Sequence, residues 1–242
     1  MPIELNITMH EQQTSAHALL SEIQALIETN TLSHALDNKV FEGLIQLYTI
    51  GTNIEDAKIS AEVDPDDITQ IGEYGFNLLT ELLQWAHNNR RSDFSKEIRQ
   101  LTLSLALWVT HHQGELRTLE PIVDAFAQTA NKTSDKEQLK QLVKMMDDII
   151  SSCSNSIKED QEQSHPLRPW RVIHLNKAIT ATRAHDTKLM RRVFQELVSA
   201  LPFDSAQFFS EGMKEINKAD YPDDVRAVLQ EYFNKYSRPK MN

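Results

Sequence analysis

Histidines beside carboxylates are the residues of this chain with the plainest chemical capacity. His111-His112, with Glu115 close behind, offers imidazole and carboxylate, the usual ligands of zinc and related ions. Neighbouring residues of a helix point about 100° apart, so the two rings do not converge on one ion. The simpler expectation is a polar end to an apolar helix, where imidazolium suits the negative pole of the dipole. Glu162-Gln-Ser-His165 has the Glu-x-x-His spacing found at di-iron centres of four-helix bundles. Such a centre needs a second pair and two further carboxylates, and here one pair stands in a polar stretch before Pro166.

His185-Asp186 is a doublet that could serve metal-dependent phosphoester hydrolysis on a helical scaffold. No histidine follows it to complete a ligand set, and an Asp at that place caps the helix carrying Leu189 and Val193. Other catalytic signatures are missing. Neither Gly-x-x-x-x-Gly-Lys nor Gly-x-Gly-x-x-Gly occurs to cradle phosphate, and no Gly-x-Ser-x-Gly places a nucleophile. Cys153 is the single cysteine, so one chain can form neither an internal disulfide nor a thiolate zinc cluster.

The strongest local signal is basic. Between His165 and Gln195 stand Arg168, Arg171, Lys177, Arg183, Lys188, Arg191 and Arg192 against Asp186 alone, a net charge of +6. The rest of the chain is −16, so general basicity for coating nucleic acid is absent. On the helix after Asp186, Met190, Val193, Phe194, Leu197, Val198 and Leu201 share one face, and Lys188, Arg191 and Arg192 lie opposite. Arg171, His174, Lys177 and Ala181 form a second such line on the preceding helix. This pattern predicts a surface that docks an acidic protein segment or phosphate group, with Trp170 as an aromatic anchor. The bland counterpart is a solvated surface that compensates an acidic protein.

Helices must position these residues. With 6 glycines and 8 prolines in 242 residues, sharp turns are scarce, which argues against an all-β chain. The most apolar stretch, Ile98 to Val109, carries Ile98, Leu101, Leu105 and Trp108 at helical spacing and Leu103 and Leu107 on the other side. It predicts a helix covered on several sides, starting at a Ser92 cap and ending at Gly114. Apolar stripes predict further helices over 13–28, from Leu36 until Gly51, and from Asp64-Pro65 to about Asn88. Gly72 and Gly75 in the last of these imply close approach of a neighbour. A short polar helix spans 53–63, another runs from Leu116 to Ala130, and a Ser134–Glu137 capping box opens one through Ile157.

The acidic, proline-containing stretch 158–169 is the best boundary. It separates an N-terminal helical domain, residues 1–160, from a C-terminal part, 166–242. In the latter, helices starting near Trp170, Thr187, Ser205 and Pro222 make two hairpins of about 35 residues each. That is the length of helical-repeat modules, without the tetratricopeptide signature. The expected fold is therefore all-α, a multi-helical bundle followed by two α-solenoid-like hairpins. The expected function is a non-catalytic adaptor or scaffold whose basic stripe (Trp170, Arg171, Lys177, Lys188, Arg191, Arg192) docks an acidic protein partner. No cofactor, metal, general nucleic-acid binding or membrane insertion is expected, and homo-oligomerisation is compatible with the pattern. The lone thiol and the absence of a signal-peptide pattern suggest the cytoplasm. The competing expectation is a helical enzyme, such as a metal-dependent hydrolase, drawing on His111, His112 or His185.

Overall fold

Strand-like alternation of leucines at 101, 103, 105 and 107 does not make a strand, because nothing in the chain offers a partner for one. In the computed structural model these residues lie in a helix, Ser92–His111. The structure describes residues 8–29, 34, 36–56, 63–161, 165–216, 218 and 220–237. Among them the fold is all-α, with helices α1 (Met9–Glu28), α2 (Asn38–Asp56), α3 (Pro65–Asn88), α4 (Ser92–His111), α5 (Glu120–Lys132), α6 (Lys136–Ser152), α7 (Asn155–Lys158), α8 (Pro169–Arg183), α9 (Thr187–Ala200), α10 (Ser205–Ile216) and α11 (Asp223–Tyr236). The only extended pairing among the described residues is an isolated bridge between Leu116 and Cys153. No described helix is long and apolar enough to cross a membrane.

The chain divides into two compact units: Met1–Phe126 with Asp148–Glu159, and Ala127–Asp147 with Asp160–Asn242. The second unit thus recruits a stretch that chain continuity alone assigns to the N-terminal part.

In the first unit, α4 packs on α3 and α1, α2 packs on both α1 and α3, and Leu101 to Val109 are all buried. Close helix approach explains the glycines. A Cβ at Gly75 would sit 2.5 Å from Leu105, and one at Gly72 would sit 2.7 Å from Val109. Gly51 does not stop α2, which continues to Asp56; Met9 of α1 packs where its side chain would be, at 2.6 Å. Of the polar helix expected over 53–63, residues 53–56 extend α2 and 57–62 lie outside the described residues.

Helix ends differ from the sequence reading in three places. Arg91, not Ser92, is the first flanking residue of α4, and Gln113 rather than Gly114 takes the left-handed turn, with φ of 62°. Asp135, not Ser134, caps α6 by accepting from the Gln138 amide at 2.9 Å. The capping box is instead at α1, where Thr8 and Glu11 satisfy each other's backbone donors. Here tertiary contact supplies what local sequence does not advertise: Glu55 accepts from the Met9 amide at 2.8 and 2.9 Å and from Trp108 Nε1 at 3.1 Å.

In the second unit α8 packs on α9, α10 on α11, and α11 also on α9. Their core joins Val143 of α6 to Met190, Phe194, Leu197, Phe209, Leu229 and Tyr232. Phe194 stands edge-on to Phe209 and to Tyr232, each 5.2 Å away, the arrangement favoured by ring quadrupoles. The Tyr232 hydroxyl donates to the Arg191 carbonyl at 3.0 Å, so its polar tip is satisfied.

Candidate functional site

The histidine motifs do not assemble into a centre. His112 places Nδ1 2.9 Å from the Trp108 carbonyl and rests its ring on Trp108, while His111 and Glu115 are exposed. Glu162 lies outside the described residues; His165 is exposed and its carbonyl accepts from the Arg168 amide and guanidinium. Asp186 caps α9 by accepting from the Lys188 and Leu189 amides and lies 3.5 Å from Lys140, which commits its carboxylate. Those amides and Lys140 hold the Asp186 carboxyl below its ordinary pKa. His185, at φ of 54°, lays its ring 5.2 Å from Tyr221. Among the described residues no three His, Cys, Asp or Glu side chains converge as metal ligands.

The basic segment has a different geometry from the one its spacing suggests. The line Arg171, His174, Lys177, Ala181 faces inward: His174, Lys177 and Ala181 are buried, and Arg171 is half-buried. Lys177 is 3 % exposed and contacts both Asp147 and Glu196. Arg192 bonds the same two carboxylates at 2.8 Å each, so two cations and two anions of α6, α8 and α9 form one neutral network. Helical spacing assigned this face to solvent, but Lys177 of α8 meets carboxylates of both α6 and α9, so its polar line is enclosed.

The four other arginines of the segment are also engaged. Arg191 pairs with Glu231 at 2.6 Å and Arg171 with Asp204 at 2.6 Å. Arg168, buried, clasps Asp160 and Asp204 at 2.8 and 2.6 Å, and these bonds keep its charge in place despite the burial that opposes it. Arg183 forks onto the Ala130 and Thr133 carbonyls, closing the C-terminal end of α5. Lys188 is exposed; its backbone amide donates to Asp186, and its ammonium has no carboxylate partner among the described residues. Trp170 is half-buried against the core and edge-on to His174, with ring centroids 4.5 Å apart. Among the described residues, the stripe is thus a surface of compensated charge in which Lys188 alone lacks a carboxylate partner.

His174 is expected to leave a signature in the pH dependence of stability. Burial pushes its pKa down to about 4; Lys177 adds to the effect and Asp147 opposes it. Between about pH 6.5 and 4 the unfolded chain takes up a proton that the folded chain refuses, so stability falls as pH falls through that window. The expected loss by pH 4.5 is on the order of 2–3 kcal/mol. Urea unfolding at pH 7 and 4.5 should show His174→Gln losing that much less than wild type. Identical pH dependence in both proteins would mean that this imidazole is free to protonate.

One concave, apolar surface in the second unit was not expected from the sequence. A cleft of about 340 Å³ lies between α8, α10 and α11, lined by Ile179, Phe208, Gly212, Ile216, Tyr221 and Leu229. Thr182, Glu211 and Glu215 complete its walls. Ile179 is 47 % exposed on α8, whereas Ile173, Ala178 and Ala181 of the same helix are buried. An isoleucine outside its helix's buried face was the readable signal, although single exposed apolar residues are common.

Compared with known proteins, the chain matches no family model, no curated protein and no solved structure.

Proposed function

We propose that this chain is a non-catalytic interaction adaptor or scaffold that docks an apolar helical segment of a partner protein on its second unit. The observation that carries the reading is the open cleft of α8, α10 and α11, where Ile179 is 47 % exposed beside the partly buried Phe208 and the buried Leu229. Helix-in-groove recognition uses this geometry, with apolar anchors at three- and four-residue steps. In this reading the two hairpins, α8–α9 and α10–α11, which pack through α9 and α11, act as a solenoid-like support for the groove. A cytoplasmic setting fits the lone Cys153, a buried thiol whose pKa burial pushes up to about 12 and which is therefore unreactive.

The basic stripe is a second docking surface in this reading, favoured by the unpaired Lys188. An acidic segment there must compete with Glu231 for Arg191 and with Asp147 and Glu196 for Arg192. Exposed ion pairs contribute about 0–1 kcal/mol each, so exchange is feasible but gains little.

Two variants separate the surfaces. Ile179→Glu places a charge in the cleft, and a triple Lys188→Glu, Arg191→Glu, Arg192→Glu variant reverses the stripe. Partner capture from the native extract by crosslinking should be lost with Ile179→Glu and kept with the triple variant. Loss with the triple variant alone would move docking to the stripe, and equal capture by all three proteins would remove both surfaces.

A further inference from the structure

Gly212 is the glycine that no close neighbour among the described residues explains. At Gly43, Gly51, Gly72 and Gly75 an added Cβ would lie 2.5–2.7 Å from a side chain of another helix, so those helices approach closely only because the side chain is missing. At Gly212, in the interior of α10, the nearest atom to such a Cβ is Leu229 Cδ2 at 3.4 Å, an ordinary contact. Glycine inside a helix is destabilising relative to alanine, and alanine fits here. Gly212 therefore weakens α10 although no contact among the described residues requires a glycine there, and it does so on the wall of the open cleft.

Resting on the reading of the second unit as a docking unit, we infer that the cleft of α8, α10 and α11 receives a basic amphipathic helix, whose backbone crosses α10 at Gly212 and whose cations meet Glu211 and Glu215. The glycine matches the use this chain makes of glycine elsewhere, where helix meets helix. The charge of the occupant follows from the rim. Glu211 and Glu215 stand one helical turn apart on either side of Gly212 and line the cleft. Glu211 accepts from Gln207 at 2.7 Å, and Glu215 pairs with Lys218 at 2.7 Å with both side chains largely exposed. A surface pair of that kind exchanges readily for another cation. The exposed Ile179 and the partly buried Phe208, with Ile216 and Leu229 buried in the cleft floor, meet the occupant's apolar face, and a volume of about 340 Å³ admits only a few side chains. An acidic or uncharged helix would leave the two carboxylates partly desolvated without a partner.

The test uses the full chain and synthetic helical peptides with leucines along one face and two flanking residues four positions apart, either lysines or glutamates. Binding is read by fluorescence anisotropy at low and moderate salt. The lysine peptide should bind and weaken as salt rises, and the glutamate peptide should bind at least about tenfold more weakly. Glu211→Gln with Glu215→Gln should weaken the lysine peptide by roughly three- to tenfold, as expected of two partly exposed ion pairs. Gly212→Met should abolish binding by filling the groove, while Gly212→Ala should melt no lower than wild type. A lower melting temperature for Gly212→Ala would give the glycine a structural role and overturn the inference. Equal affinity for both peptides would overturn the charge assignment and leave docking in place. Binding of neither peptide, with partner capture still lost in Ile179→Glu, would overturn the helical occupant alone. Capture unaffected by Ile179→Glu would remove the cleft as a docking surface, and with it this inference.

Discussion

Leu105→Asp is expected to unfold the first unit or leave the protein insoluble. Leu105 is fully buried in α4, and its Cδ2 fills the space that the missing Gly75 side chain leaves on α3. Ile98, Leu101, Ala106, Trp108 and Val109 of the same helix are buried too, so the helix cannot roll to bring a carboxylate to water. An unpaired buried charge of this kind belongs to the rare class of substitutions that cost more than about 4 kcal/mol. Leu105→Met, which conserves volume, should cost less than about 1.5 kcal/mol and so separates the effect of charge from that of shape. Solubility, near-ultraviolet circular dichroism and thermal melting read the outcome. A soluble aspartate variant with native spectra and an unchanged Tm would show that α4 is not the element the unit is built around.

The second large effect is asymmetric. In the network of Lys177, Arg192, Asp147 and Glu196, the Lys177 side chain is 4 % exposed, whereas Asp147 and Glu196 are 27 % and 37 % exposed. Removing both carboxylates, Asp147→Ala with Glu196→Ala, strands a buried ammonium and should cost about 3–5 kcal/mol. Removing the cation instead, Lys177→Met, keeps the methylene packing and leaves two carboxylates that Arg192 and water still satisfy. That change should cost less than about 1 kcal/mol, because replacing a buried ion by a well-packed apolar chain is often neutral. Urea unfolding of the three proteins distinguishes the cases. A costlier Lys177→Met would mean that the network is a net source of stability and that the asymmetry argument is wrong.

The same network explains the part of the basic segment that spacing alone misplaced. Helical periodicity places Arg171, His174, Lys177 and Ala181 on one side of α8, and they are there. Periodicity says which residues share a face, but not whether that face meets water or another helix. Asp147 lies 30 residues before Lys177, at the far end of the second unit's share of α6, and nothing local marks the two as partners. On α9, where Met190, Val193, Phe194 and Leu197 are buried and Lys188, Arg191 and Arg192 are exposed, the sequence reading needed no change of face. It could not reveal that Glu231, 40 residues beyond Arg191, neutralises part of that stripe.

The chain by itself determined the helical class, the burial of Leu101 to Val109 and the starts of α3 and α9, because those rest on residues within a turn of each other. Asp64 and Asp186 cap their helices wherever those helices go, and an all-round apolar segment must be covered by something. Only the tertiary structure decided that 127–147 joins the C-terminal helices, that Lys177 is internal, and that Ile179 and Gly212 border one cleft. Each of those depends on which helix packs against which, a choice made by side chains far apart in the chain whose contacts leave no local periodicity to read.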